Sequence, residues 1–156
     1  MKSKFSYINN TLKFSIAGFF IPGFTLFIFF GPQMGLTFLG IECSNAWKVI
    51  WTLTAIGMLV SPVIFTRMMI RRASEGFHLT TKELTFFNIL EYTFIQATLG
   101  SLFTNGKTLC YVSDGQNGIE LIFSGWMAIP FLILISLFFD FAKEKIMEDY
   151  GMEEID

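Results

Sequence analysis

The sequence predicts an all-α, polytopic integral membrane protein with four transmembrane helices and both termini in the cytoplasm. Its composition, its charge-free segments and the distribution of its basic residues support this prediction. Apolar residues make up 53% of the 156 residues, charged residues only 15%, and the mean hydropathy is +0.55. Soluble domains carry about 25% charged residues. In water, a chain this apolar would expose large apolar surfaces. We therefore expect a lipid bilayer to surround it.

The charged residues leave four long segments nearly free of charge. Residues 14–41, 49–66 and 121–139 contain no Asp, Glu, Lys or Arg, and residues 84–106 contain only Glu91. A helix needs roughly 20 apolar residues to cross a hydrocarbon core of about 30 Å. We therefore predict spans at about 14–31, 49–69, 84–104 and 121–140. They form one transmembrane domain over residues 1–140, followed by an acidic cytoplasmic tail over residues 141–156.

Proline and glycine distinguish the spans from one another. The first contains Pro22 and Gly23 and later the segment GPQMG, which predicts a kinked helix that ends near that segment. The second contains Pro62 and the fourth Pro130, and both are expected to bend because a proline leaves a backbone carbonyl without its helical donor. The third span has no proline and is expected to be straight.

The basic residues predict the orientation, because Lys and Arg near the ends of spans mark the cytoplasmic side. Only Lys48 and Lys107 fall on the opposite side. The cytoplasmic side receives Lys2, Lys4, Lys13, Arg67, Arg71, Arg72, Lys82, Lys143 and Lys145. This distribution predicts a multi-pass protein of a bacterial inner membrane with both termini inside.

The same orientation places Cys43 and Cys110 outside the cytoplasm. In an oxidising periplasm the two cysteines can form a disulfide between the outer loops. The alternative is two free thiols, and spacing alone does not show whether the Cα atoms approach closely enough. Quinone-linked thiol oxidases need cysteine pairs that exchange disulfides, and neither outer loop has such a pair.

The third span carries polar residues in its middle. At 100° per residue, Asn88, Tyr92 and Gln96 fall on a stripe about 80° wide, with Glu91 about 60° beyond its edge. A charge near the bilayer centre costs at least ~2.5 kcal/mol, so this face should point into the bundle or toward a copy of the chain. Arg67 is the expected partner of Glu91.

Three interpretations of this intramembrane polar network remain open. The network can fix helix packing or oligomer register, it can line an ion or proton path, or Glu91 can be protonated without a role. Few polar residues occur on the other spans, which favours the structural interpretation. The predicted network comprises Arg67, Asn88, Glu91, Tyr92 and Gln96.

No pattern for catalysis or for a cofactor accompanies these features. Metal sites need clustered Cys, His or carboxylate ligands, and the single histidine, His78, has no second ligand near it in sequence. We expect no enzymatic activity, no metal, no cofactor and no direct contact with nucleic acid. The acidic tail is predicted to bind a soluble cytoplasmic protein, through Phe141, Ile146, Glu148, Asp149, Tyr150, Glu153 and Glu154.

In size and topology, with four spans, short outer loops and both ends inside, the chain resembles the small membrane subunit of Kiwa-type two-component anti-phage systems. That resemblance implies a membrane-embedded homo-oligomer that senses envelope perturbation and holds a soluble DNA-binding partner. The same layout also resembles the immunity proteins that protect cells against pore-forming colicins. A small ion channel or transporter that uses Glu91 is the remaining alternative.

Overall fold

The fold is all-α throughout the described residues, which are 6–25, 27–74, 80–103, 110 and 116–149 of a computed structural model. None of these residues lies in a strand, and the prediction of an all-α chain is confirmed. Five helices follow one another in the described part of the chain: α1 (Ser6–Phe20), α2 (Phe27–Phe38), α3 (Cys43–Ser74), α4 (Thr81–Phe103) and α5 (Gln116–Asp149).

Helix α4 is the centre of the bundle and contacts each of the other four helices. Side-chain pairs give the directions of its neighbours. Phe65 of α3 stacks on Phe87 of α4, with 3.9 Å between ring centroids, while Gly57 of α3 lies against Phe94. Helix α3 is therefore antiparallel to α4. Helix α5 is antiparallel to α1, because Asp140 contacts the beginning of α1 and Trp126 the Phe19 carbonyl at its end. Helices α1 and α4 run in one direction and α3 and α5 in the other, because Asn10 bonds to Thr85 and Gly18 lies against Tyr92.

The first apolar segment forms two helices rather than the predicted single kinked one. Helices α1 and α2 are separated by residues 21–26, where Gly23 has a φ of 82°. This left-handed conformation is accessible to glycine, and it interrupts the helix directly after Pro22. The segment GPQMG does not end a helix, because Pro32 lies inside α2. The interruption lets α1 pack on α4 and α5 while α2 packs on α3.

Helices α3 and α5 extend beyond the predicted spans at both ends. Helix α3 has 32 residues and α5 has 34, with Pro62 and Pro130 in their interiors. Helix α5 continues without a break past residue 141, the predicted beginning of the tail, to Asp149. At 1.5 Å per residue it is about 50 Å long. Among the described residues, two segments are long and apolar enough to cross a bilayer, Cys43–Arg72 and Ile122–Lys145.

The interior of the bundle contains polar as well as apolar side chains, and its outside carries many large apolar ones. Among the described residues, 12 buried side chains are polar or charged and 15 are hydrophobic. Large apolar side chains are exposed on several helices, for example Leu53, Leu59 and Ile64 of α3 at 58–69%. An apolar cluster with Phe65, Phe87 and Phe139 packs around Tyr7 where α1 begins.

Candidate functional site

The polar side chains of α4 are enclosed by the chain itself. Asn88, Glu91, Tyr92 and Gln96 are each 0% exposed. Four helices surround α4, so the stripe of polar residues and the neighbouring face with Glu91 are both covered. This face is therefore not available for contact with a copy of the chain, which was one of the two orientations that the sequence allowed.

Asn88 is the centre of a hydrogen-bond network between α4 and α1. Its Oδ1 accepts from the hydroxyls of Tyr7, at 3.1 Å, and Thr11, at 3.0 Å. Its Nδ2 donates to Asn10 Oδ1 at 2.8 Å, and Asn10 Nδ2 donates to Thr85 Oγ1 at 3.3 Å. Buried polar networks of this kind favour one arrangement of the helices, because any other leaves polar groups unpaired. This network fixes the register of α1 on α4.

Asp140 holds the beginning of α1 on α5. This residue lies at the end of the predicted fourth span, and its side chain is only 3% exposed. Its carboxylate accepts from the backbone N–H groups of Tyr7, at 3.2 Å, and Ile8, at 2.8 Å. The first N–H groups of a helix have no partner within the helix, and the helix dipole favours a negative charge there. Asp140 is thus an N-terminal cap supplied by another helix.

Glu91 has a different partner from the one the sequence predicted. Ser61 Oγ, on α3, is in hydrogen-bond contact with Glu91 Oε2, and Glu91 Oε1 has no hydrogen-bond partner among the described residues. Arg67 is exposed and is not part of the network. The helical repeat explains the difference: Phe65 points inward, and Arg67, two residues later, lies about 200° around the helix. Ser61 is one turn before Phe65 and shares its inward face.

Tyr92 and Gln96 lie where the segment between α1 and α2 passes close to α5. The backbone N–H of Gly23 donates to the Tyr92 hydroxyl at 3.5 Å, and Phe24 stacks on the Tyr92 ring. A Cβ atom on Gly125 would lie 2.9 Å from Gln96 Nε2, 3.0 Å from the Tyr92 hydroxyl and 3.1 Å from Gly23 N. The absence of a side chain at Gly125 lets α4, α5 and this segment meet.

The two cysteines form a disulfide between the first residue of α3, Cys43, and Cys110, with Cα atoms 5.9 Å apart. Of the two alternatives that the sequence left open, the structure therefore has the bridged one. Gln33 of α2 donates from its Nε2 to Cys43 Sγ at 3.7 Å. An open pocket of about 450 Å³ lies beside the disulfide, against the face of α2 that carries Phe30 and Met34.

The predicted partner-binding tail is only partly described. Its first residue, Phe141, is 58% exposed on α5, and Ile146, Glu148 and Asp149 belong to the same helix. Tyr150, Glu153, Glu154 and the single histidine, His78, lie outside the described residues. Over the part of the chain that is described, no group of three or more His, Cys, Asp or Glu side chains is arranged to hold a metal ion.

Sequence reasoning missed the contribution of α1 to this interior. Tyr7, Asn10 and Thr11 were assigned to a basic segment before the first span, yet they contact Asn88 or Thr85. A signal was present, since Tyr7 and Thr11 are four residues apart and share one face of a helix.

Comparisons with models of protein families, with curated proteins and with solved structures found no match to this chain. Its class is therefore defined by its own structure, as an all-α bundle with a polar interior.

Proposed function

We propose that the bundle is embedded in a bacterial inner membrane as a multi-pass protein with both termini in the cytoplasm. One observation carries the proposal, namely that a partly polar interior is combined with an extensively apolar exterior. Twelve polar or charged residues are buried, while large apolar residues are exposed on all five described helices. Extended apolar surfaces of this kind mark contact with a membrane or with another protein. In lipid, by contrast, polar groups must be satisfied inside the protein.

The exposure of the two long apolar helices supports the same proposal. Only 17% of the most apolar window of Cys43–Arg72 and 33% of that of Ile122–Lys145 are buried. The core helix of a soluble protein would be mostly buried. Helix α4, with 23 residues, and the α1–α2 pair provide the other two crossings. Helix α4 needs few apolar residues because its neighbours cover it.

The orientation is supported by the parallel directions of α3 and α5. Arg71 and Arg72 at the end of α3 and Lys143 and Lys145 on α5 fall at the same end of the bundle. Basic residues near the ends of spans favour the cytoplasmic side. In the proposed membrane, the last turns of α5 extend from the cytoplasmic surface.

Within that membrane, the chain acts as a non-enzymatic anchor or sensor subunit that recruits a soluble cytoplasmic protein. The continuous helix α5 supports this role, because it connects the buried Asp140 directly to the acidic residues Glu148 and Asp149. Binding of a partner to the end of this helix can therefore be transmitted to the bundle. The resemblance to the Kiwa-type membrane subunit suggests anti-phage defence as its setting, with homo-oligomers formed through the exposed apolar faces.

The channel alternative is less well supported. An ion path needs polar groups along its whole length. Where α1 begins, next to Asn88, the interior is instead an apolar cluster formed by Phe65, Phe87, Phe139 and the ring of Tyr7. The ring centroids of Phe65 and Phe139 are 5.0 Å apart, and those of Phe87 and Phe139 are 5.5 Å apart. This packing favours the anchor function over conduction.

Native mass spectrometry of the protein, extracted from its own cells in mild detergent, tests the proposal. The full-length chain is compared with a chain that ends at Glu144, and with a second variant of full length in which Glu148 and Asp149 are replaced by lysine. We expect the full-length chain to form a homo-oligomer with a bound soluble protein. Both altered chains should lose the soluble protein. If the oligomer carries no soluble protein, the anchor function is wrong. If the protein leaves the membrane fraction in alkaline carbonate, membrane embedding itself is wrong.

A further inference from the structure

Glu91 is a fully buried carboxyl group with little to stabilise a negative charge. Its Oε2 is in contact with Ser61, and its Oε1 has no hydrogen-bond partner in the described part of the chain. No described Lys or Arg forms an ion pair with it, whereas Arg72 and Glu83 do pair at the surface. A buried carboxylate without a cation or several hydrogen bonds is strongly disfavoured relative to the neutral acid.

The surrounding helices do not supply the missing positive charge. Among the described residues, the other buried titratable side chains are the neutral phenols Tyr7 and Tyr92 and a second carboxyl group, Asp140. The exposed cations of the neighbouring helices are Lys13 on α1, Lys48, Arg67 and Arg71 on α3, and Lys145 on α5. Arg72 pairs with Glu83 at the surface, Lys143 acts on Asp140, and α2 contains no titratable residue. These neighbouring groups therefore leave a negative charge on Glu91 uncompensated.

The Ser61–Pro62 pair gives the Ser61 hydroxyl a backbone carbonyl as a possible acceptor. Pro62 has no N–H, so the carbonyl of Met58, four residues earlier in α3, lacks its usual helical donor. The hydroxyl of Ser61 lies in the same turn and can donate to a carbonyl of the preceding turn. Several threonines of this chain make such bonds, among them Thr66, which donates to the Pro62 carbonyl at 2.8 Å.

We propose that Glu91 and Ser61 form a proton-binding site. The folded bundle holds Glu91 as a carboxylic acid whose O–H donates to Ser61 Oγ, and the Ser61 hydroxyl donates in turn to a backbone carbonyl of α3. Every hydrogen then has an acceptor, and no net charge is buried. The proton is taken from water when the chain folds and is returned when the contact between α3 and α4 opens. The proposal rests on burial within the chain, independently of any partner.

Infrared spectroscopy of the full-length protein at neutral pH tests this site, because the C=O band of a protonated carboxyl group is separate from the carboxylate bands. We expect a protonated-carboxyl band that shifts in D₂O and is absent from Glu91→Gln. Glu144→Gln, which changes an exposed carboxylate of α5, is the matched control and should keep the band. Ser61→Ala should keep the proton but move the band to higher frequency, since the acid loses its acceptor.

Thermal unfolding provides an independent readout. A group that is protonated when folded and ionised when unfolded takes up a proton on folding, so stability falls as pH rises above the ordinary range for glutamate. The wild type should lose stability from mildly acidic to alkaline pH, and Glu91→Gln should lose less.

Three results would overturn the proposal. The first is the absence of a protonated-carboxyl band in the wild type. The second is a band that survives in Glu91→Gln and disappears in Asp140→Asn, which would assign the proton to the other buried carboxyl group. The third is a Glu91→Gln chain that does not fold, because the neutral isostere of the acid must be tolerated if the site is neutral.

Discussion

At the scale of single residues, Gly125 determines how closely three parts of the chain approach one another. The amide of Gln96, the hydroxyl of Tyr92 and the backbone N–H of Gly23 all lie within 3.1 Å of where its Cβ would be. Two of these groups belong to buried side chains of the central helix, and the third is backbone. None of them has room to move aside without disturbing a packed contact.

We predict that Gly125→Ala lowers the free energy of unfolding by about 1–3 kcal/mol, because overpacking forces side chains or backbone to shift. Gly35→Ala is the control, since nothing lies within 4 Å of its position in α2. Alanine there should be neutral or stabilising by up to about 1 kcal/mol, as expected from helix propensity. Unfolding followed by circular dichroism in detergent measures both. Equal effects of the two substitutions would show that Gly125 is not a contact point.

At the scale of the secondary-structure elements, α1 depends on the rest of the bundle for its stability. It has 15 residues, near the lower limit for an isolated helix in water, and a break follows it directly. Its first turn is held by Asp140 from α5, and its inward face is held by Asn88 from α4. The helix is therefore a product of tertiary contacts as much as of its own sequence.

We predict that Asp140→Ala lowers the free energy of unfolding by about 2 kcal/mol, because two buried backbone N–H groups lose their acceptor. Asp140→Asn keeps one acceptor oxygen and should cost about half as much. Hydrogen exchange at the amides of Tyr7 and Ile8 should accelerate in both. The exposed control Glu144→Ala should change stability by less than about 0.5 kcal/mol. An Asp140→Ala chain as stable as this control would contradict the capping role.

At the scale of the whole molecule, the disulfide closes a large part of the chain into one loop. Cys43 and Cys110 are 67 residues apart, and the segment between them contains α3 and α4. Cross-linking residues so far apart in sequence restricts the unfolded chain. The bridge and the polar interior thus hold together helices that expose mainly apolar surface.

We predict that replacing both Cys43 and Cys110 with alanine lowers the free energy of unfolding by about 2–4 kcal/mol. A reducing agent should bring the wild type to the same stability, with a change of mobility on a non-reducing gel. The double variant itself should not respond to the reducing agent. A wild type whose stability is unaffected by reduction would show that the bridge contributes nothing.

The candidate site could be predicted from the sequence only in part. The helical repeat places Asn88, Tyr92 and Gln96 on one face, and the structure buries all three. The partner of Glu91 could not be predicted in this way, because pairing across helices depends on which face of α3 turns inward. Its positive charge favoured Arg67 as the predicted partner. The inward packing of Phe65 instead turns Ser61, on the same face of α3, toward Glu91.

The sequence by itself determined the helical class of the chain, its apolar surface and the polar face of α4, because these follow from composition and from the 3.6-residue repeat. Tertiary structure alone decided that α1 and α2 are separate helices, that Asp140 caps α1, and that Cys43 meets Cys110. Each of these contacts joins residues that are distant in sequence or depends on a backbone conformation stabilised by another helix. Local periodicity carries no information about such approaches, since they arise only when the other four helices pack around α4.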